Sequence, residues 1–199
     1  MKYINQRDYP HWLYVTKTDM EGADREKGRT TTIATSGCGL CSAVMVADRL
    51  LADCGFDLQD AVQLSYDTRA NFRAGTSSKR FFPAFAEKMG FHHEKTKDPE
   101  ALLHCLRTGG AAIVLVSGNR EGYQGVYSGI AQHYVVAVAR QRDGRIVILD
   151  PADEAGKFDP EHRRDKVEVI TRGMSLCHLQ TLEEESEPFE APFDLFWRK

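Results

Sequence analysis

The chain has 199 residues, 42% of them hydrophobic, and 26 Lys and Arg against 29 Asp and Glu give a formal net charge of −3. Leu, Ile, Val and Phe make up more than a fifth of it, above the range of disordered chains, so a packed fold is expected, with one domain over 1–199. The charge balance lacks the basic excess of a phosphate-backbone binder, and the longest apolar runs, 111–116 and 134–139, fall far short of the about twenty residues that a membrane span needs, so neither nucleic acid nor a membrane span is expected.

The start, Met1-Lys2-Tyr3-Ile4-Asn5-Gln6-Arg7-Asp8, has no apolar signal region. Five cysteines are too few and too odd in number for a disulfide framework, so reduced thiols in a cytoplasmic setting are expected. Residues 1–35 carry Tyr3, Tyr9, Trp12 and Tyr14, then a charged stretch over 17–29, without sustained periodicity, and read as a surface-wrapping segment. From Cys38, apolar positions Leu40, Val44, Ala47, Leu50, Leu51 and Cys54 recur at three- and four-residue steps, which predicts a core helix over 38–54 stopped by Gly55. Further helices are predicted over 57–71, over 79–89 closed by Gly90, and over 99–107 closed by Gly109-Gly110. The apolar run 111–116 predicts a strand buried on both faces. A glycine-punctuated loop over 117–132 follows, either a lid beside His133 or a disordered connection. Segments 133–139 and 145–150 are rich in β-branched residues and flank Asp143-Gly144, a hairpin signal. A strand over 166–170, a solvated acidic patch over 183–187 and an apolar end over 193–197 complete the chain. Helices first and antiparallel strands later is the pattern of an α+β fold.

Cys38 stands at the mouth of the best-defined helix, where unpaired backbone N–H groups favour thiolate over thiol and can also hold an oxyanion. Gly37 and Gly39 beside it leave room for a substrate carbonyl to approach the backbone. The alternative for Cys38 is a small buried residue at a helix end. A cysteine nucleophile needs a base, and His133 opens a strand after a flexible loop. The base needs an orienting acceptor, and Asp150 ends the partner strand. With a two-residue turn at Asp143-Gly144, Asp150 falls opposite Ala137 on the face of His133, but ~13 Å away along the strand at ~3.3 Å per residue. A bulge or a displaced loop must shorten that offset, and Glu154, nominally opposite His133, competes for the role.

These residues carry a resemblance. Gly37-Cys38-Gly39-Leu40-Cys41-Ser42-Ala43-Val44-Met45 resembles the nucleophile helix of cysteine peptidase family 39 and its stand-alone relatives, members of the papain-like superfamily known for cleaving leader peptides. Gln132-His133-Tyr134-Val135-Val136 and Leu149-Asp150-Pro151 resemble that family's histidine and aspartate motifs. Ile4-Asn5-Gln6-Arg7-Asp8-Tyr9-Pro10, Gly75-Thr76-Ser77 and Phe85-Ala86-Glu87-Lys88-Met89-Gly90-Phe91 are similar to segments of the stand-alone relatives. The resemblance implies an α+β papain-like cysteine peptidase fold, with the nucleophile helix packed on an antiparallel sheet. It also implies a Cys38, His133, Asp150 triad, an oxyanion-hole amide from Gln6, a peptide or amide substrate, and no cofactor. In the leader-processing enzymes the glutamine stands six positions before the cysteine. Here that position is Thr32, and Gln6 must return through a 31-residue excursion.

Cys38-Gly39-Leu40-Cys41 is also a C-x-x-C motif opening a helix, which is the arrangement of a thiol-disulfide oxidoreductase. Against it, residues 29–36 offer only Ile33 as a strong strand former. A structural zinc joining Cys38 and Cys41 to Cys177-His178 lacks a second well-spaced donor pair, and His92, His93, His104 and His178 read as surface or satisfied histidines. A papain-like binding domain without turnover and an acyltransferase using the same triad are the remaining alternatives.

Overall fold

A computed structural model describes residues 2–16, 29–72 and 75–199; most of the charged stretch over 17–29 lies outside them. The N-terminal segment forms a 3-10 turn (Gln6–Asp8), a hairpin of β1 (Leu13–Thr16) and β2 (Arg29–Thr32), and a single helical turn, α1 (Ile33–Ser36). It is no surface wrapping, since Ile4, Tyr14 and Ile33 are buried in the main core. Helices α2 (Cys38–Leu50) and α3 (Leu58–Asp67) follow, then a minimal pair of strands, β3 (Asn71–Phe72) and β4 (Gly75–Thr76), and α4 (Ser78–Met89). Next come β5 (Phe91–Thr96), α5 (Pro99–Arg107), β6 (Ala111–Val116), β7 (His133–Arg140) and β8 (Ile146–Leu149). The chain ends with α6 (Glu161–Arg164), β9 (Val167–Thr171), β10 (Met174–Cys177), α7 (Leu179–Ser186) and β11 (Phe193–Arg198).

Seven strands make one sheet in the order β5-β11-β6-β7-β8-β10-β9, every pairing antiparallel, so the fold is mixed α+β as expected. Alternation sends the two faces of β7 into two cores: Tyr134, Val136 and Val138 pack with α2 and α4, while Val135 and Ala137 pack with α5 and the interior of β11. Burial on both faces explains why β6 and β7 are almost continuously apolar. No described helix is long and apolar enough to cross a membrane.

Helix α5 begins and ends where its sequence signals place it, with Asp98 accepting from Glu100 N at the N-cap and Pro99 at the first helical position. Helix α2 stops four residues early: Leu51 is extended, Asp53 takes φ 55, and the guanidinium of Arg198 donates to Leu50 O, capping a carbonyl that another helical turn would use. The β7–β8 turn also differs from the two-residue expectation. Gln141 N donates to Arg145 O at 2.7 Å and Gly144 takes φ 91, so three residues form the loop, with a glycine in the left-handed position. A bulge between Ala137 and Ala139 shifts the register again, and Val136 pairs with Leu149. Extended by one residue, Asp150 stands opposite Val135 rather than Ala137, two residues from His133 or ~7 Å along the strand. Turn and bulge together halve the offset and preserve the shared face.

Candidate active site

Cys38 is the first residue of α2, and Gly37 is both the end of α1 and the cap of α2. A Cβ on Gly37 would lie 2.7 Å from both Cγ2 and O of Ile33, and one on Gly39 would lie 3.2 Å from Thr76 Cβ and 3.3 Å from the Tyr134 ring. A methyl at either position would crowd the packing around the helix start, far more at Gly37 than at Gly39. The Cys38 sulfur accepts hydrogen bonds from the His133 ring and from the backbone N–H groups of Tyr134 and Gly39. Burial alone would raise the thiol pKa, but the His133 hydrogen bond and charge, followed by the two backbone donors, hold it below the ordinary cysteine value.

His133 opens β7, so its ring stands at the end of the sheet, where the N-terminus of α2 arrives. It is buried, and its Nε2 lies 2.8 Å from Asp150 Oδ1, which leaves Nδ1 as the ring nitrogen for the sulfur. Burial disfavours the imidazolium, but the Asp150 hydrogen bond and charge, and then Cys38, outweigh it and raise the His133 pKa to about 9. Asp150 is itself buried, accepts from Ala152 N at 2.9 Å, and pairs through Oδ2 with Lys157 Nζ at 2.5 Å. Burial pushes this carboxyl up, but the Lys157 charge and the His133 hydrogen bond together hold it well below the usual carboxylate range. Glu154, the rival orienter, is exposed on the cavity wall.

Gln6 reaches the site because residues 3–6 dock on the chain leaving β8. Tyr3 OH donates to Asp150 O, Gln6 N to Pro151 O, and Asn5 Nδ2 to Asp153 O, at 2.6 to 2.7 Å. The Gln6 side chain is buried; Nε2 donates to Ala34 O at 2.7 Å, and Oε1 has no partner among the described residues. One of the two amide hydrogens is thus committed to Ala34 O. Gln6, Cys38 and His133 line one cavity of about 860 Å³ together with residues 75–78 and 127–132, Lys157 and Arg163.

The 117–132 loop, whose residues 127–132 line the cavity, is stapled by α7. Glu185 of α7, 0% exposed, accepts from Tyr123 OH, Val126 N and Tyr127 N, so the acidic patch is not all solvated charge. Arg163 Nε donates to Gly125 O, and Asn119 Oδ1 accepts from Gly125 N. Ile130, 97% exposed, stands at the cavity rim. Lys157, Arg163 and Glu185 went unnoticed in the sequence. Lys157 sits in a polar stretch whose only signal is the turn glycine Gly156, at φ 75, and Glu185 hides in a run of acids.

The second cysteine of the C-x-x-C pair behaves in the opposite way. Cys41 is fully buried in the main core, and burial, followed by the neighbouring Cys38 charge, pushes its pKa far up. All five cysteines are free, Cys177 is buried against Tyr127, and His93 is satisfied by Asp194 at 2.9 Å. Among the described residues no group of three or more His, Cys, Asp or Glu is placed to hold a metal ion. The arrangement can supply a nucleophilic thiolate, an imidazolium able to deliver a proton, and N–H donors at a helix mouth. Compared with known proteins, the chain matches no protein-family model and no curated protein.

Proposed function

We propose that the chain is a cysteine peptidase or related amide hydrolase on a papain-like fold, acting through an acyl-enzyme. The observation that carries this reading is the hydrogen-bonded series Cys38, His133, Asp150 opening on one cavity, with the sulfur at the N-terminus of α2. The Cys38 thiolate attacks the substrate carbonyl carbon to form a C–S bond, and the carbonyl electron pair moves onto oxygen. Backbone N–H groups at the start of α2 and the second amide hydrogen of Gln6 hold that oxyanion. His133 passes its Nδ1 proton to the leaving nitrogen, the C–N bond breaks, and a thioester remains. His133 then takes a proton from water, which attacks the thioester and releases the acid and the thiolate. Asp150 keeps the imidazole in the right orientation and tautomer throughout. An amine in place of that water gives acyl transfer by the same steps. The burial of Cys41 speaks against the dithiol reading, since a redox pair needs its second sulfur within reach of a substrate disulfide.

Labelling with iodoacetamide at pH 7, read by intact mass, tests the assignment. Cys38→Ala should abolish fast labelling and Cys41→Ala should leave it intact. An ordinary thiol is only a few per cent ionised at that pH, so His133→Ala should slow labelling, by at most roughly 30-fold. Incubation of the wild type with a peptide thioester panel should add an acyl mass that Cys38→Ala lacks. Equal labelling of Cys38 and Cys41, or a rate unchanged in His133→Ala, overturns the proposal.

A further inference from the structure

A Cys-His-Asp series does not by itself call for a fourth charge, yet one is present. Asp150, 1% exposed, already accepts from His133 and Ala152, and its second oxygen is taken by Lys157, 9% exposed. The same ammonium donates to Ala152 O at 3.2 Å, closing a ring over 150–152. The lysine backbone is fixed in turn: Lys157 N donates to Glu154 O at 3.2 Å, and Lys157 O accepts from Arg163 Nη1 at 3.0 Å. Resting on the thiol-hydrolase reading, we propose that Lys157 is a positioning residue that acts through Asp150 to set the pH window of the Cys38–His133 pair.

The argument is electrostatic and geometric. With Oδ2 occupied by the ammonium, Oδ1 is the oxygen that faces His133, so the lysine selects which lone pairs orient the ring. Its charge also keeps Asp150 ionised in a place where burial favours the acid. At the far end of the series the same charge favours the thiolate and opposes the imidazolium, so both midpoints lie lower than Asp150 and His133 alone would set them. Other titratable groups face this ring. Tyr3 donates to Asp150 O, Tyr127 lies within electrostatic reach of Asp150, and burial raises the pKa of both phenols and keeps them neutral. Asp153 feels both Asp150 and Lys157, while Glu154 and Arg163 stand on the cavity wall. Among the described residues, Lys157 and His133 are the cations paired with Asp150.

The pH dependence of Cys38 carbamidomethylation by iodoacetamide tests this, since it has one midpoint for thiolate formation and one for loss of the imidazolium proton. At an effective dielectric constant of about 20, unit charges ~6 Å apart shift one another by roughly two pH units, and water entering the emptied site reduces this. With Asp150 still held ionised by His133, both midpoints should rise in Lys157→Met and in Lys157→Gln, that of His133 more than that of Cys38, which stands one ring further from the ammonium, and fall back in Lys157→Arg. Neutral variants with unchanged midpoints and merely lower stability would make the lysine structural and overturn the proposal. A wild type in which Cys38 labels like an ordinary thiol would instead overturn the triad reading beneath it. Should both neutral variants fail to fold, the Lys157 ammonium signal in ¹⁵N-lysine-labelled wild type decides. It should move through the His133 midpoint, and a flat signal there overturns the proposal.

Discussion

Replacing Glu185 by Gln removes one charge and one acceptor from the staple that holds the 117–132 loop, and the cost can be worked from three contacts. Oε1 accepts from Tyr123 OH at 2.7 Å and Val126 N at 2.9 Å, and Oε2 from Tyr127 N at 3.1 Å. Glutamine keeps an oxygen for the first pair but points an NH2 group at the Tyr127 N–H, so a charge-assisted bond becomes two opposed donors. Loss of the bond and of its partner's satisfaction costs about 3 to 4 kcal/mol, and relief from burying a charge returns part of it, leaving about 2 kcal/mol. Glu185→Ala strands all three donors and should cost about 4 kcal/mol. For a chain of this length, 2 kcal/mol corresponds to a fall of roughly 4 to 8 °C in Tm. Urea unfolding gives the total, and hydrogen exchange locates it. Amides of Val126 and Tyr127 should lose protection while those of Ile113 and Val136, inside the sheet, keep theirs. A solvated Glu to Gln change costs within about 0.5 kcal/mol, so a variant that close to wild type, with unaltered exchange at Val126 and Tyr127, would refute the staple.

Gly37→Ala should destabilise the chain by about 1 to 3 kcal/mol, because its φ of −91 suits alanine but its Cβ would overlap Ile33 at 2.7 Å. Gly75→Ala, with nothing within 4 Å of the added methyl, is the control and should be neutral in the same urea titration. Stability should also depend on pH through Cys38 and His133, with opposed slopes. His133, raised from 6.5 to about 9, contributes stability that is complete below pH 6.5 and lost as pH climbs through 9. Cys38, lowered from 9.0, contributes stability that is complete above pH 9 and lost as pH falls through its folded value. Cys38→Ala removes the second slope and also one support of the raised His133 value, so its urea midpoint should drop more steeply than that of the wild type just above pH 6.5, over a range that ends below pH 9; parallel curves would deny the coupling.

Elements whose signals are local were legible in the sequence. The N-cap aspartate and first-position proline of α5, Gly90 in the left-handed position after α4, and the unbroken apolar run of β6 each carry their own instruction. Elements that exist only through a distant partner were not. Phe91-His92-His93-Glu94-Lys95-Thr96 has no apolar alternation, and it becomes β5 because β11, a hundred residues later, supplies the ladder and buries Asp194 against His93 and Lys95. Backbone hydrogen bonds do not read side chains, so such a strand leaves little trace in its own sequence. Register is lost for a related reason. The hairpin signal at Asp143-Gly144 was real, but one extra turn residue and one bulge moved Asp150 from Ala137 to Val135, and only the required closeness of His133 hinted at the correction. Lys157 and Glu185 fall into the same class, because a buried charge is recognisable only once its partner is known.

The two cysteines of Cys38-Gly39-Leu40-Cys41 show why a motif alone does not decide chemistry. They are the same side chain three residues apart on one helix, and their pKa values move in opposite directions. Three residues carry Cys41 ~4.5 Å along the axis, past the unpaired N–H groups and into the apolar core beneath β7. Its backbone N–H closes the first helical hydrogen bond, to Gly37 O, whereas that of Gly39 remains free to point at the Cys38 sulfur. The lowered thiol pKa in this helix therefore belongs to the position at the mouth, and the strands matter because they bring His133 to that mouth.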